Sequence, residues 1–299
     1  MTKHLKHLQH PTMITTLILI LILASSNSLG ALLTKSYKKV TISNRYVHQS
    51  DSLNGWFYSP TGPGPYPSIV LLHGCAGVTD NHHNWAEKLV SWGYAALIVD
   101  SFSPRSLNSL CRAGDELWTT FNQLRPADAR AALDYLASEP LADAGRVGLM
   151  GWSYGATMTL RTLRASRQGA DDSPAFKAGI AFYPSCWQYR KYLQGPDAYA
   201  SSAPLYILQG AEDNWTLPAH CQTFVDRAEQ TPNPITLRLY AGAYHGFDDN
   251  RQLTTRVWGV RLESDQQPWG NVIIGYNKNA HRKAEQELEA ILDRYLSIK

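Results

Sequence analysis

Short apolar runs alternate with segments of helical periodicity along most of the chain. The runs are almost continuously apolar and occupy 68–73, 95–100, 146–150, 178–183, 205–209 and 235–240. Such continuity predicts strands that are covered on both faces, as in a parallel sheet packed between helices. Apolar residues at helical spacing occupy 84–92, 126–137, 154–164 and 280–296. The alternation predicts an α/β fold with a mostly parallel central sheet flanked by helices on both faces.

The N-terminal residues follow a different pattern. Two lysines precede an apolar run at 14–24 that two threonines interrupt, and small or polar residues follow up to Gly30. This order is typical of a secretory signal peptide, and the run is shorter than the ~20 residues of a membrane span. We therefore expect a cleaved signal at 1–30 and an exported, periplasmic or secreted, single domain at 31–299 with no stable membrane span. An uncleaved anchor is the alternative.

Composition and charge exclude some classes of function. The chain has 299 residues, of which 44% are apolar, so it can bury one large core. A net charge of +3, with 18% charged residues, indicates no nucleic-acid partner. The four cysteines include no C-x-x-C pair. An even number in an exported chain predicts disulfides, with three possible pairings, and four free thiols are the alternative.

A serine between two glycines follows the predicted strand at 146–150. The stretch Gly151-Trp-Ser-Tyr-Gly155 fits G-x-S-x-G, in which a tight strand-to-helix turn raises the serine hydroxyl above the sheet. Glycine is required two positions away on each side because a side chain there would clash. The pattern alone is common, but its place between a strand and a helix predicts that Ser153 is a nucleophile.

A serine hydroxyl needs a base to accept its proton, and the base needs a carboxylate to orient it. Two residues downstream of Ser153 meet these needs. Asp213 follows the strand at 205–209, and His245 follows the strand at 235–240. The order Ser, Asp, His is the one that this architecture uses. The sequence therefore predicts a Ser153–His245–Asp213 triad, which requires no metal and no organic cofactor.

Other acidic and imidazole side chains compete for these roles. Glu212 is the alternative acid, because it precedes Asp213 directly. Asp248 and Asp249 lie beyond the predicted base and break the expected order. His220 lies near the start of a predicted helix and His281 lies inside the last one, so neither follows a strand.

The tetrahedral intermediate of such a reaction needs two backbone N–H groups that point at its oxyanion. The residue after the nucleophile, Tyr154, supplies the first. The glycine-rich stretch 73–77 follows an earlier strand and can supply the second. We assign it to the N–H of Cys75, with Ala76 as the alternative. His73 is expected to make structural hydrogen bonds.

With these residues in place, the chain resembles the dienelactone hydrolase family of α/β-hydrolases over roughly 55–250 and the last helix. The stretches that carry the resemblance are VLLHGCAG (70–77), WGYAALIVDSFSPR (92–105), RVGLMGWSYGATM (146–158), AFYPSC (181–186), LQGAEDNWTLPAHC (208–221) and YAGAYHGFDD (240–249). The resemblance implies a single α/β-hydrolase domain, the same three triad residues, and hydrolysis of a small-molecule ester or lactone.

Two departures separate the chain from the dienelactone hydrolases proper. Those enzymes carry a cysteine nucleophile where Ser153 stands, and a glutamate in the region of His73 and Gly74. The resemblance therefore implies an exported, carboxylesterase-like enzyme. The stretch GWSYGA (151–156) is also similar to peptidases of the prolyl oligopeptidase type, which need a large propeller domain ahead of the hydrolase domain.

The resemblance also implies which cysteines pair. The strand order of the family places the strand ends before Cys75 and Cys111 side by side, and does the same for Cys186 and Cys221. The expected disulfides are Cys75–Cys111 and Cys186–Cys221, both on the catalytic face of the sheet.

Aromatic residues at the predicted strand ends are candidates for an apolar substrate pocket, with core packing as the alternative for each. They are Trp152, Tyr154, Tyr183, Trp187, Trp215 and Tyr244. Arg105 and Arg112 follow a strand end and are either solvated or able to meet a carboxylate on the substrate. The stretch 251–276 has little periodicity and is expected to be a long loop beside the site.

The sequence favours a serine hydrolase over two alternatives. A non-catalytic binding protein on the same fold would show a damaged triad position, and none is visible. An acyltransferase would use the same acyl-enzyme with an alcohol in place of water. The sequence does not separate this last alternative from hydrolysis.

Overall fold

The computed structural model of the chain describes residues 37–47, 51–165, 174–192, 199–228, 233–263 and 267–297. The signal peptide expected at 1–30 lies outside these residues. Residues 37–299 form one compact unit. Among the helices that the structure describes, none is long and apolar enough to cross a membrane.

The central sheet of the described residues has eight strands in the order β1-β2-β4-β3-β5-β6-β7-β8. Their bounds are β1 (Tyr37–Asn44), β2 (Asp51–Tyr58), β3 (Tyr66–Leu72), β4 (Ala95–Asp100), β5 (Ala142–Trp152), β6 (Ala178–Phe182), β7 (Leu205–Gly210) and β8 (Ile235–Tyr240). The strands from β4 to β8 pair in parallel, and β1 and β2 form an antiparallel edge. The predicted α/β fold with a mostly parallel sheet is confirmed.

Helices cover both faces of this sheet. They are α1 (Asp80–Ser91), α2 (Asp115–Ser138), α3 (Tyr154–Thr162), α4 (Pro218–Arg227) and α5 (Lys278–Leu296). Alternate residues of β3 enter two separate apolar clusters, Val70 and Leu72 with α2, α3 and α4, and Ile69 and Leu71 with α1 and α5. Every residue of β4 is buried. Burial on both faces explains why the central strands are uniformly apolar.

Two features differ from the sequence prediction. Helix α2 begins eleven residues before the predicted start at Pro126, which lies inside the helix. Proline is favoured in the first turn of a helix, so its position suggested a start that the structure does not have. The expected loop at 251–276 is also wrong, because it contains the antiparallel strands β9 (Thr255–Arg261) and β10 (Trp269–Ile274).

Disulfides join Cys75 to Cys111 and Cys186 to Cys221. These are the pairs that the family resemblance implies, and they account for all four cysteines of the sequence. The first ties the loop after β3 to the segment that leads into α2. The second ties the segment after β6 to α4. Both disulfides therefore join segments at the carboxyl edge of the parallel strands, where ligands bind in open α/β sheets.

Candidate active site

Ser153 occupies a strained turn between β5 and α3. Its φ and ψ angles are 52° and −117°, a conformation that residues other than glycine rarely adopt. A Cβ atom on Gly151 would lie 2.4 Å from the carbonyl oxygen of Gly155, and one on Gly155 would lie 2.0 Å from that of Leu72. Both contacts are with backbone atoms, so the two glycines of the motif are needed for this turn to pack against β3.

The three residues of the predicted triad lie within hydrogen-bonding distance of one another. His245 Nε2 is 2.9 Å from Ser153 Oγ, and His245 Nδ1 is 2.8 Å from Asp213 Oδ2. Asp213 and His245 are buried, at 2% and 4% exposure. Glu212, the alternative acid, is exposed. Each residue follows the strand that the sequence analysis assigned to it, and the parallel arrangement brings the three strand ends together.

The Asp213 carboxylate is oriented by donors on both of its oxygens. Oδ1 accepts from the backbone N–H groups of Trp215 and Thr216, at 2.9 and 3.0 Å. Oδ2 accepts from Gln209 Nε2 at 3.0 Å and from Thr216 Oγ1 at 2.9 Å, in addition to His245. Because every one of these partners donates a hydrogen bond, the surroundings of Asp213 suit a carboxylate. Such a carboxylate can also accept a hydrogen bond from the imidazole N–H.

The other candidate histidines lie elsewhere. His220 pairs with Glu263 at 2.7 Å, and His281 lies on α5, stacked on Trp85. His73 is buried between two backbone groups, donating from Nδ1 to the Gly74 carbonyl and accepting at Nε2 from the Ser101 N–H. Burial lowers the pKa of His73 well below its ordinary value. His73 is thus a neutral structural residue, as expected.

The loop after β3 runs directly beside Ser153. A Cβ atom on Gly74 would lie 3.5 Å from that of Ser153. The Cys75 carbonyl accepts from the Leu110 N–H at 2.7 Å, which fixes the orientation of this peptide. Within the described residues, the amides of Cys75, Ala76 and Tyr154 donate no hydrogen bond to another backbone group. Cys75 and Ala76 line a cavity of about 140 Å³ together with Ser153.

A larger cavity of about 420 Å³ is also lined by Ser153. Three tryptophans line it, Trp118, Trp187 and Trp215. Trp187 and Trp215 are among the predicted pocket residues. Trp118 was missed because it lies in the part of α2 that the sequence analysis did not assign to a helix. This volume is within the range of cavities that hold small organic ligands.

Three predicted pocket residues do not line the larger cavity. Tyr183 is buried, donates to Asp248 and reaches only the smaller cavity. Trp152 is 2% exposed and packs in the core against Phe182 and Trp85, so it reaches only the smaller cavity. Its side chain packs in the apolar cluster with α1 and α5, on the face of the sheet opposite to α2 and α3. Tyr244 is half-buried and, among the described residues, lines neither cavity.

The charged groups around the larger cavity are paired. Arg261 forms an ion pair with Asp115. Glu263 accepts hydrogen bonds from the Leu217 N–H and from His220. The cavity therefore presents no excess of positive charge among the residues that line it.

The two arginines considered for binding a substrate carboxylate have other partners. Arg105 forms ion pairs with Asp51 and Asp128, and its side chain is 12% exposed. It is therefore neither solvated nor directed at the cavity. Arg112 donates to the Trp258 carbonyl at 3.0 Å.

Asp248 is a buried acceptor that the sequence analysis set aside. It accepts four hydrogen bonds, from Trp85 Nε1 at 2.7 Å, Trp152 Nε1 at 2.8 Å, Asn81 Nδ2 at 3.0 Å and the Tyr183 hydroxyl at 2.6 Å. The Tyr183 ring lies 4.5 Å from the His245 ring between centroids. Asp248 thus ties α1, β5 and the end of β6 to the loop that carries the histidine.

A family model described as the dienelactone hydrolase family matches residues 53–296. The chain belongs to the dienelactone hydrolase family. The family is named for the hydrolysis of a lactone, which is a cyclic ester. As a member of this family the chain is a carboxylic ester hydrolase. The matched range spans the three residues of the predicted triad and both disulfides.

Individual relatives of this dienelactone hydrolase family member are distant. A "Probable 2-oxo-3-(5-oxofuran-2-ylidene)propanoate lactonase" of Bradyrhizobium is 25% identical over 223 residues, which cover 72% of this chain and 85% of the relative. "Dipeptidyl peptidase family member 6" of Caenorhabditis elegans is 27% identical over 214 residues, 61% of this chain and 28% of the relative. This chain thus spans about a quarter of the peptidase.

Solved structures share the fold. A dienelactone hydrolase-like promiscuous phosphotriesterase, P91, from metagenomic libraries has a TM-score of 0.63 at 18% identity, and the match covers 87% of this chain and 98% of that one. At this level of identity the likeness shows the fold alone.

Proposed function

We propose that this dienelactone hydrolase family member is a serine-dependent hydrolase of carboxylic esters or lactones that acts through an acyl-enzyme. The observation that supports the proposal best is the continuous hydrogen-bonded chain from Ser153 Oγ through His245 to Asp213, at the floor of a cavity. A hydroxyl, an imidazole and a buried carboxylate in this order are the groups that nucleophilic acyl transfer needs.

The reaction proceeds in two halves. Ser153 Oγ attacks the ester carbonyl carbon while its proton passes to His245 Nε2, and the carbonyl π electrons move to the oxygen. Asp213 holds the imidazole in the correct tautomer and stabilises the imidazolium. The N–H groups of Cys75 and Tyr154 donate to the oxyanion.

Collapse of the intermediate breaks the bond to the alcohol, which leaves with the proton from His245. Water then attacks the acyl carbon while His245 Nε2 takes its proton, the bond from that carbon to Ser153 Oγ breaks, and His245 returns the proton to Oγ as the acid leaves.

We further propose that the substrate is a neutral ester. The arginine at the cavity, Arg261, is paired with Asp115, and Glu263 adds a carboxylate. Among the described residues that line the cavity no cation is unpaired, so an anionic substrate would be buried there without a counterion, which is unfavourable. The propanoate in the name of the Bradyrhizobium relative is such an anion. The three tryptophans suit a planar or apolar acyl group.

Export is part of the same proposal. Two disulfides are compatible with an oxidising compartment. The basic and then apolar N-terminal segment supports a periplasmic or secreted location.

Replacing Ser153 by alanine tests the catalytic proposal. Hydrolysis of p-nitrophenyl esters should fall by about 10⁴-fold or more, because removal of a triad nucleophile leaves only residual catalysis. Labelling with a fluorophosphonate probe should be lost as well. Ser138→Ala, an exposed serine on α2, is the matched control and should retain both. Full activity of Ser153→Ala would refute the proposal, and a wild-type chain that the probe does not label would favour the binding-protein alternative.

A pair of matched substrates tests the neutral-ester proposal. The p-nitrophenyl esters of valeric acid and of glutaric acid differ by a terminal methyl against a terminal carboxylate. We expect kcat/KM to be about tenfold or more higher for the valerate, because the described lining residues offer the glutarate carboxylate no free cation. Equal values, or a preference for the glutarate, would contradict it.

A further inference from the structure

Arg125 is a fully buried guanidinium on α2 that no carboxylate contacts directly in the part of the chain that the structure describes. Its exposure is 0%. Nη2 donates to the His73 carbonyl at 2.7 Å, whereas Nε and Nη1 have no hydrogen-bond partner among the described residues. A buried cation without a direct counterion lowers stability, so an ordinary structural role does not account for it.

The acidic groups nearest to Arg125 already have other partners. Both oxygens of Asp128 accept from Arg105, at 2.8 Å each, and one also accepts from Asn44 Nδ2 at 2.8 Å. Asp100 accepts from the backbone N–H groups of Phe102 and Ser103. Burial lowers the pKa of Arg125 to about 10, so the guanidinium is still protonated at neutral pH.

The contacts of Arg125 join the two segments that carry the proposed oxyanion donors. The His73 carbonyl that it binds lies two residues before Cys75, at the start of the loop after β3. Its guanidinium carbon lies 4.9 Å from the centre of the Tyr154 ring, and Tyr154 supplies the second N–H. It also lies 5.4 Å from the ring of Phe102, which itself packs on the His73 ring at 4.4 Å.

We propose that Arg125 is a positioning residue of the oxyanion site, which fixes the Cys75 and Tyr154 amides relative to each other and adds positive charge behind them. This inference rests on the proposed function. The planar guanidinium can bind a carbonyl at its edge and an aromatic ring on its face at the same time, and lysine cannot do both. Because the oxyanion exists only after attack, Arg125 acts on the transition state more than on substrate binding.

Three variants test the role of Arg125. Arg125→Met removes the charge and the hydrogen bond, and Arg125→Lys keeps the charge alone. Arg130→Met is the control, because Arg130 is exposed on the same helix. Assays use full-length protein, with kcat expressed per active site as titrated with diethyl p-nitrophenyl phosphate, so that loss of folded protein does not lower the result.

For Arg125→Met we expect kcat to fall about 10- to 100-fold with KM within twofold, since loss of one whole oxyanion donor costs about 10²- to 10³-fold. The Ki of a trifluoromethyl ketone, whose adduct with serine carries an oxyanion, should rise by the same factor. The kcat of Arg125→Lys should lie between the values of Arg125→Met and the wild type, and the kcat of Arg130→Met should equal that of the wild type.

Two outcomes would overturn the role of Arg125. One is an unchanged kcat per active site, and the other is a loss confined to KM with the ketone affinity unchanged. If neither Arg125 variant folds, Phe102→Leu removes the second ring and keeps an apolar side chain. We expect it to lower kcat about threefold with KM unchanged, and a wild-type kcat would overturn the proposal. Ser153→Ala is assayed in parallel. If that variant is active, the proposed function fails, whereas an inactive Ser153→Ala beside a normal Arg125→Met refutes only the role of Arg125.

Discussion

Replacement of the buried Asp248 should lower the stability of the protein much more than replacement of a less buried acidic residue. Its carboxylate accepts from Asn81, Trp85 and Trp152 on Oδ2, and from the Tyr183 hydroxyl on Oδ1. Burial, reinforced by Asp248, raises the pKa of Tyr183 well above its ordinary value, so the phenol keeps its proton and donates. All four groups are therefore donors, and each would lack a partner if the acceptor were removed.

The magnitude depends on what replaces the carboxylate. In Asp248→Asn, the amide oxygen can still accept the three N–H groups, and the amide nitrogen can donate to Tyr183, whose hydroxyl can also accept. Charge-assisted bonds then become neutral ones, at a cost of about 1–2 kcal/mol. In Asp248→Ala, four buried donors lose their acceptor at about 1–3 kcal/mol each. Water from the neighbouring cavity of about 280 Å³ can satisfy some of them, so we expect about 4 kcal/mol.

Urea unfolding at pH 7, followed by tryptophan fluorescence, measures this difference. Asp249→Ala is the matched control, because Asp249 is less buried and its carboxylate accepts a hydrogen bond from the backbone N–H of Arg251. The free energy of unfolding of Asp249→Ala should be about 0.5 kcal/mol below that of the wild type. The kcat of Asp248→Ala should also fall, since Tyr183 packs on His245. Two results would contradict this role of Asp248. One is a free energy of unfolding of Asp248→Ala within about 1 kcal/mol of the wild type, and the other is an equal loss for Asp248→Asn and Asp248→Ala.

Three further predictions concern the disulfides, acid stability and the serine turn. Replacing Cys75 and Cys111 by serine should cost about 4 kcal/mol, as should replacing Cys186 and Cys221, because the sequence separations are 36 and 35 residues. Only the first should strongly lower kcat per active site, and an equal loss would contradict the position of the Cys75 loop. Burial lowers the pKa of His82 to about 4. Unfolded chains therefore bind the extra proton between about pH 6.5 and 4, and stability should fall as pH falls through this range, by about 1.4 kcal/mol per pH unit for this residue. His82→Gln keeps a capping side chain at this position and should reduce the slope by that amount, leaving the contribution of the buried His73, as measured by urea unfolding from pH 4.5 to 6.5. Gly155→Ala should abolish folding, whereas Gly114→Ala, with open space around its Cβ, should be tolerated in thermal melts.

The central strands and the hydrogen-bonded arrangement of Ser153, His245 and Asp213 could be predicted because each depends on a local pattern. A strand buried on both faces is apolar at every position, as in β4. Its carboxyl end is then visible as the point where polar residues begin, which located Asp213 and His245. The turn at Ser153 is specified by two glycines, because a Cβ atom at either position would lie only 2.0–2.4 Å from a backbone oxygen. Chain order supplied the remaining constraint.

The strands β9 and β10 could not be predicted for a physical reason. They pair mainly with each other and are largely exposed, with Trp258 at 61% and Trp269 at 40% exposure. Each strand has one buried residue, Val260 and Val272, at 1% and 0% exposure, and a single buried position imposes no alternation on a sequence. The misplaced start of α2 has a similar cause. Its first turns line the cavity, so Trp118 and Asn122 meet open space where a core helix would show an apolar stripe.

The buried polar residues around the site were hidden from the sequence because their partners are distant in the chain. Asp248 binds residues 65 to 167 positions away, and Arg125 binds His73 from 52 positions away. In one sequence, a buried aspartate and a solvated one look alike, and Asp248 and Asp249 are adjacent. Both buried residues hold segments that carry no regular structure of their own, the loop of the histidine and the loop after β3. A sheet fixes where its strands end, but it does not fix the loops beyond them. The precision that the proposed acyl transfer would require of His245 and of the Cys75 amide therefore has to come from buried polar contacts of this kind, and their removal should impair catalysis without any loss of strand pairing.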